Sequence, residues 1–200
     1  MANWACTDYA IEGSKESLQK IYNAIINPDI EEASDKSWEG NVLRALDITW
    51  ERDLKDTKGK YMRGFIRDAD YIEFNAETDD NLRFWAEEAW GLTDFYVALE
   101  EKFPDIKVYW IVEEIGGDVF ATNDKEGKYF STRFFVDTCI EGDYQSDYFT
   151  SEESVYKWLS DITDGKVTNE KEVDAFNDEH EEAETDEENF IYIHKYSIEN

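Results

Sequence analysis

The 200-residue chain holds only two prolines, two histidines and two cysteines. With ten glycines and so little proline, collagen-like and proline-rich linker architectures are excluded. Cys6 and Cys139 are too few for a disulfide scaffold, stand in no CxxC pair and beside no histidine, and read as buried, reduced thiols. Uninterrupted apolar runs fall far short of the roughly 20 residues that span a bilayer, so no membrane segment is expected. The start Met1-Ala2-Asn3-Trp4-Ala5-Cys6-Thr7-Asp8 has neither a basic nor an apolar leader region, which makes a cytoplasmic location the expectation. Positive charge is scarce as well: 20 basic residues face 49 acidic ones, for a net charge of −29. Such a chain repels phosphate and anionic lipid, so direct nucleic-acid or membrane-surface binding is not expected, and any charged partner is a basic protein.

What is present is enough for a core. Leu, Ile, Val and Phe make up 45 of 200 residues, above the roughly 20% floor of disordered chains. The 31 aromatic residues add bulk, each ring burying about 150–250 Å². One domain over residues 1–200 is expected. The charge is uneven, since residues 141–189 hold 18 acids and three lysines. Spread evenly over a surface of about 9,800 Å², the whole net charge comes to one per roughly 340 Å². Duplex DNA carries one per about 110 Å², so mimicry of nucleic acid requires clustering on one face.

Alternation over residues 3–12 predicts a strand ending at Gly13. Ser14 then caps a helix to Asn27, with Leu18, Ile21, Tyr22, Ile25 and Ile26 on one stripe and Pro28 closing it. Residues 29–60 read as an insertion holding a short helix on Trp38, Val42, Leu43 and Leu46. Alternation in Tyr71–Thr78 and again from Leu82 to Glu87 predicts a β-hairpin. A helix from about Thr93 to Lys102 follows, then a meander of three antiparallel strands at Ile106–Glu113, Val119–Asn123 and Lys128–Asp137. After a loop, Thr150 and Glu153 form a capping-box signature for a helix at about 151–163 with Val155, Trp158, Leu159 and Ile162 inward. The acidic run 170–188 is a solvated helix or a loop, and Phe190 to about residue 197 reads as a last strand returning to the sheet. The order predicts an α+β, ferredoxin-like split βαβ sheet, mostly antiparallel with helices on one face, plus extra strands and a third helix. Its core spans 1–137, and 138–200 is an acidic C-terminal extension.

Asn3-Trp4 with Cys6 close behind, the strand ending in Gly13, the hairpin running into Trp90, Phe103-Pro104 and Glu113-Glu114-Ile115-Gly116 together resemble the YubB-type ferredoxin-like domain. The resemblance spans roughly residues 1–137. It departs from the family pattern where Ala5 separates Trp4 from Cys6, where no proline follows Trp90, and where Gly64-Phe65-Ile66-Arg67 replaces Gly-x-Lys-Trp. It implies a protein of plasmid, phage or gut-bacterial type, and it carries over no catalytic residues and no cofactor.

Chemical motifs are few. His180-Glu181-Glu182-Ala183-Glu184 lacks the second histidine of a zinc protease, and His194 reads as a packed or surface residue. No nucleophile elbow, dinucleotide loop or Walker loop occurs. From Asp143 the chain imitates a calcium loop through Asp147, then fails with Tyr148 at the obligatory glycine and Ser154 at the clamping glutamate. Arg63-Gly64-Phe65 begins like an RNA-binding strand but continues Ile66-Arg67-Asp68. No catalytic, metal or cofactor residues are therefore assigned.

What remains is surface. With Ile72, Phe74, Leu82, Phe84, Val108 and Trp110 facing the helices, the opposite sheet face shows Trp85, Tyr109, Ile111 and Phe135 among charges. Those four, with Glu179, Glu181, Glu182 and Glu184 of the acidic run, form the expected interaction surface. The expected function is an acidic protein-interaction module, in its sharper form a nucleic-acid mimic that occupies a DNA-binding protein. The alternatives are a carboxylate-based enzyme or small-molecule binder, recognisable by a cleft holding carboxyls of raised pKa, and adaptation to high salt.

Overall fold

The computed structural model describes residues 3–30, 35–49, 62–181 and 189–199, with the backbone alone for 180 and 181. The chain forms two compact units, residues 1–124 with 199–200, and residues 125–198. It is α+β, with antiparallel sheets and helices, as the sequence predicts. Among the described residues no helix is long and apolar enough to cross a membrane.

In the first unit, β1 (Trp4–Glu12) turns Ala5, Thr7, Tyr9 and Ile11 inward, because alternate side chains of a strand share a face. Ser14 accepts a hydrogen bond from the Ser17 amide at 3.2 Å and opens α1 (Lys15–Ile26), which buries Leu18, Ile21 and Ile25. α2 (Glu39–Ala45) supplies the short helix expected within 29–60; residues 31–34 and 50–61 lie outside the described residues. β2 (Gly64–Arg67) leads to β3 (Asn81–Ala89), α3 (Phe95–Lys102), β4 (Lys107–Glu114) and β5 (Val119–Thr122). These strands stand in the order β2-β3-β1-β4-β5, with every described neighbouring pair antiparallel. The first four give the ferredoxin-like arrangement. Their inner face, including Phe84, Val108 and Trp110, is covered by α1 and by Phe95, Ala98 and Leu99 of α3.

The expected hairpin strand at Tyr71–Thr78 is not formed. Asn75 and Asp79 draw this backbone into a turn: the Asn75 amide donates to Asp79 Oδ2 at 2.7 Å and the Glu77 amide to Asn75 Oδ1 at 2.9 Å. Such side-chain bonds compete with a ladder, and β2 pairs with β3 instead. Ile72 and Phe74 still pack on the core, Phe74 with its ring 5.5 Å from that of Tyr22.

The second unit holds β6 (Phe134–Ile140), β7 (Asp143–Phe149), α4 (Glu152–Ile162), α5 (Glu170–Glu181) and β8 (Phe190–Lys195). The third strand of the expected meander thus begins at Phe134 and belongs to a separate sheet, ordered β7-β6-β8. Residues before it are held in a loop by Arg133, whose guanidinium donates to the Phe130, Thr132 and Lys125 carbonyls. The segment after Gly142, expected as a loop, is a strand, and Phe190–Lys195 joins β6 rather than the first sheet. Ser151, not Thr150, caps α4, accepting from the Ser154 amide at 3.2 Å. Val136 and Ile191 of the sheet pack on Val155, Leu159 and Val173 of the two helices. Asn177 of α5 bonds β8 as a further strand would, donating to the Ile191 carbonyl and accepting from its amide, each at 2.9 Å.

Candidate functional site

Trp85, Tyr109 and Ile111 share the outer face of the first sheet: Asp8 pairs with both Trp85 and Ile111, and Ala10 pairs with Tyr109. All three are half-buried. The Trp85 indole donates to Asp68 at 3.2 Å, and the Lys107 ammonium lies 4.5 Å from the Tyr109 ring centre. Beside them, burial first and then the charge of Glu113 raise the Asp8 carboxyl, and the same two causes lead in raising the Cys6 thiol. Cys139 is buried as expected, but Cys6 is exposed, because its side chain alternates onto the outer face of β1, and neither forms a disulfide. Phe135 does not join this face; it stands on β6 in the second sheet. Glu179 is exposed on α5, whereas the Glu181 side chain and Glu182 and Glu184 lie outside the described residues.

The second sheet gathers more. Register puts Phe135 between Tyr148 and His194, Asp137 between Ser146 and Tyr192, and Cys139 between Tyr144 and Phe190, all on the face away from α4 and α5. Six rings form a chain of contacts across it. Centroid distances run 6.2 Å for Tyr144 to Phe190, 4.8 Å for Phe190 to Tyr192, 6.5 Å for Tyr192 to His194, 5.8 Å for His194 to Phe135, and 5.0 Å for Phe135 to Tyr148. On the central strand β6, Cys139 and Phe135 are buried. Tyr144, Tyr148 and Tyr192 are 62%, 48% and 54% exposed, so half of the rings present their area to solvent. Of these, the sequence predicts Phe135 alone as a surface residue. The signal for the others was the alternation Tyr144-Ser146-Tyr148 and Phe190-Tyr192-His194, which the polar composition of residues 143–147 concealed.

A second grouping lies inside the first unit. Glu88 of β3 accepts from the Tyr9 hydroxyl at 3.0 Å, the Thr93 amide at 2.9 Å, the Thr93 hydroxyl at 2.5 Å and the Thr7 hydroxyl. Glu39, at the start of α2, sits with its Oε2 2.9 Å from the same Thr93 hydroxyl, and both glutamates are wholly buried. Burial, then the negative charge of Glu88, holds the Glu39 carboxyl well above its ordinary range. One hydroxyl proton cannot serve two carboxylates. Protonated Glu39 resolves this, donating to Thr93 Oγ1 while Thr93 donates to Glu88. The remaining Glu39 oxygen, Oε1, has no hydrogen-bond partner and lies where a side chain at Gly64 would stand. Gly64→Ala is therefore expected to destabilise the first unit by about 2 kcal/mol through overpacking, read as a lower urea midpoint with an unchanged slope.

This pair, bridged by the Thr93 hydroxyl, joins the start of α2 to β3. A depression of about 750 Å³ is lined by residues such as Lys20, Asn23, Asp47 and Lys102, and a cleft of about 350 Å³ by Asp35, Ser37, Arg67, Asp68 and Tyr71; neither is lined by Glu39 or Glu88. Asp35, in the smaller cleft, has its carboxyl lowered by the Ser37 hydroxyl and amide, the opposite of a general acid. Among the described residues no three His, Cys, Asp or Glu side chains converge as metal ligands. No family model, curated protein or solved structure matches the chain.

Proposed function

We propose that the protein is a protein-interaction module whose docking surface is the six-ring face of the second sheet, and that its partner is basic. The exposed aromatic chain carries the reading: Tyr offers large contact area at low entropic cost, and interface centres are enriched in it. Charge complements it. Residues 125–198 hold 20 acids against seven bases, so the face sits in a strongly negative unit that steers cationic partners and disfavours nucleic acid. The outer face of the first sheet supports the reading less, because its Trp85 and Tyr109 rings already engage Asp68 and Lys107.

Kinship of the first unit with YubB-type domains belongs to the same proposal. Of the quoted residues, Asn3, Cys6, Trp90 and Glu113 stand at one end of its sheet, where the Trp90 amide donates to the Asn3 carbonyl at 2.9 Å and Cys6 pairs with Glu113, whereas Gly13 lies at the other end of β1 against Ile106, whose amide donates to the Phe103 carbonyl. The test of function is capture of proteins from lysate of the natural source by wild type and by Tyr144→Ser/Tyr148→Ser/Tyr192→Ser. A basic protein retained by the first and lost by the second supports the reading; equal retention removes it.

A further inference from the structure

Asp137 stands at the centre of the aromatic face. Its strand neighbours on that face are Phe135 and Cys139, its lateral neighbours Ser146 and Tyr192, and its diagonal neighbours Tyr144, Tyr148, Phe190 and His194. Lateral Cβ atoms in such a ladder lie about 5 Å apart and diagonal ones about 7 Å. Six of the eight side chains around this one carboxylate are therefore rings, and five of them, all but the buried Phe135, are at least partly exposed to a group that docks on it. Asp137 is only partly buried, and among the described residues its carboxylate makes no hydrogen bond or ion pair.

We propose that Asp137 and its surrounding rings form a binding site for a guanidinium group, the side chain of an arginine on the basic protein partner. This rests on the docking surface proposed above and names the chemistry it selects. A carboxylate attracts any cation, but a planar guanidinium offers it two parallel N–H donors while its faces stack on flanking rings. It is also more weakly hydrated than an ammonium, so covering it with aromatic area costs less desolvation. The negative field of rings such as Tyr192 and Phe190, stacked 4.8 Å apart beside the carboxylate, adds cation–π attraction. Lysine gains the charge attraction but not the bidentate, stacked geometry.

The probes are a blocked nonapeptide with arginine at three alternating positions in a neutral sequence, and its lysine twin. Binding is read from the Asp137 amide and the tyrosine ring signals by NMR, with the amide spectrum of each variant confirming its fold. The arginine peptide is expected to bind about tenfold more tightly than the lysine peptide. Asp137→Asn should lose about tenfold for the arginine peptide and erase most of the arginine preference. Asp161→Asn, which removes one charge from the exposed surface of α4, should change binding less than twofold. Equal affinity for the two peptides, equal losses in the two Asp→Asn variants, or no arginine-peptide binding at millimolar concentration would overturn the site. Binding that the triple tyrosine variant abolishes but Asp137→Asn leaves unchanged overturns the guanidinium assignment while leaving the docking surface in place.

Discussion

Glu88→Ala is expected to lower the unfolding free energy of the first unit by about 4 kcal/mol. It strands the Thr7 and Tyr9 hydroxyls and the Thr93 amide in a dry interior, each at about 1–3 kcal/mol, and it opens a void between β1 and β3. Glu39→Gln should behave quite differently, because the amide keeps a donor for Thr93 and carries no charge. Its signature is in pH. The Glu39 carboxyl is held well above its ordinary value of 4.5, so in the window between the two values the folded state keeps a proton that the unfolded chain has released. Its stabilisation is full below about pH 4.5 and is lost as pH climbs through the folded value, at about 1.4 kcal/mol per pH unit. Urea unfolding followed by intrinsic tryptophan fluorescence, to which six of the seven tryptophans contribute from the first unit, at one-unit pH intervals from 5 to 9, checks this. Wild type should weaken with rising pH and Glu39→Gln should weaken less; parallel profiles would falsify the protonated pair. The comparison also separates Glu39 from the self-repulsion of a chain with net charge −29, which both proteins share.

The second large effect is on binding. Tyr144→Ser/Tyr148→Ser/Tyr192→Ser is expected to weaken the partner complex at least a hundredfold, since exposed aromatics at the centre of an interface each contribute about 2 kcal/mol as hot spots. Folding should change little. The sheet is held from its other side by Val136, Ile191, Val155 and Leu159, which the variant does not touch. Raising salt from about 0.05 to 0.5 M should slow association and reduce affinity without abolishing it, because salt screens the carboxylates but not the ring contacts. Isothermal titration at the two salt concentrations measures both effects. A complex that disappears entirely at high salt in wild type would assign recognition to bulk charge and restore the acidic run as the contact surface.

Much of the first unit was legible because its elements obey their own periods. β1 shows alternation and α1 a clean helical stripe, α3 buries Phe95, Ala98 and Leu99 at helical spacing, and each has a cap or breaker where it ends. Residues 71–78 show the same alternation, yet Asn75 and Asp79 bond the backbone locally, which a pattern of apolar positions does not register. The carboxyl pair was half legible. Continuing the inward parity Leu82, Phe84, Ala86 arrives at Glu88, an acid on the core side, but Glu39 comes from a helix whose approach to β2 depends on the missing side chain at Gly64. The aromatic face was the least legible. Its nine positions come from three strands, and their register is a tertiary fact; β7 in particular, as Asp143-Tyr144-Gln145-Ser146-Asp147, has the composition of a loop. Alternation predicts Phe135 exposed on the first sheet, whereas it is buried on the second, because β6 leaves the first sheet for a ladder with β7 and β8.

The most direct test of the central claim is hydrogen–deuterium exchange on the full chain, alone and saturated with a captured partner. The account predicts slowed exchange concentrated in residues 135–148 and 190–194 on binding, with the helix at 170–181 and the strands of the first unit unchanged. Protection confined to the acidic helix or to the outer face of the first sheet, with the second sheet unaltered, would contradict it.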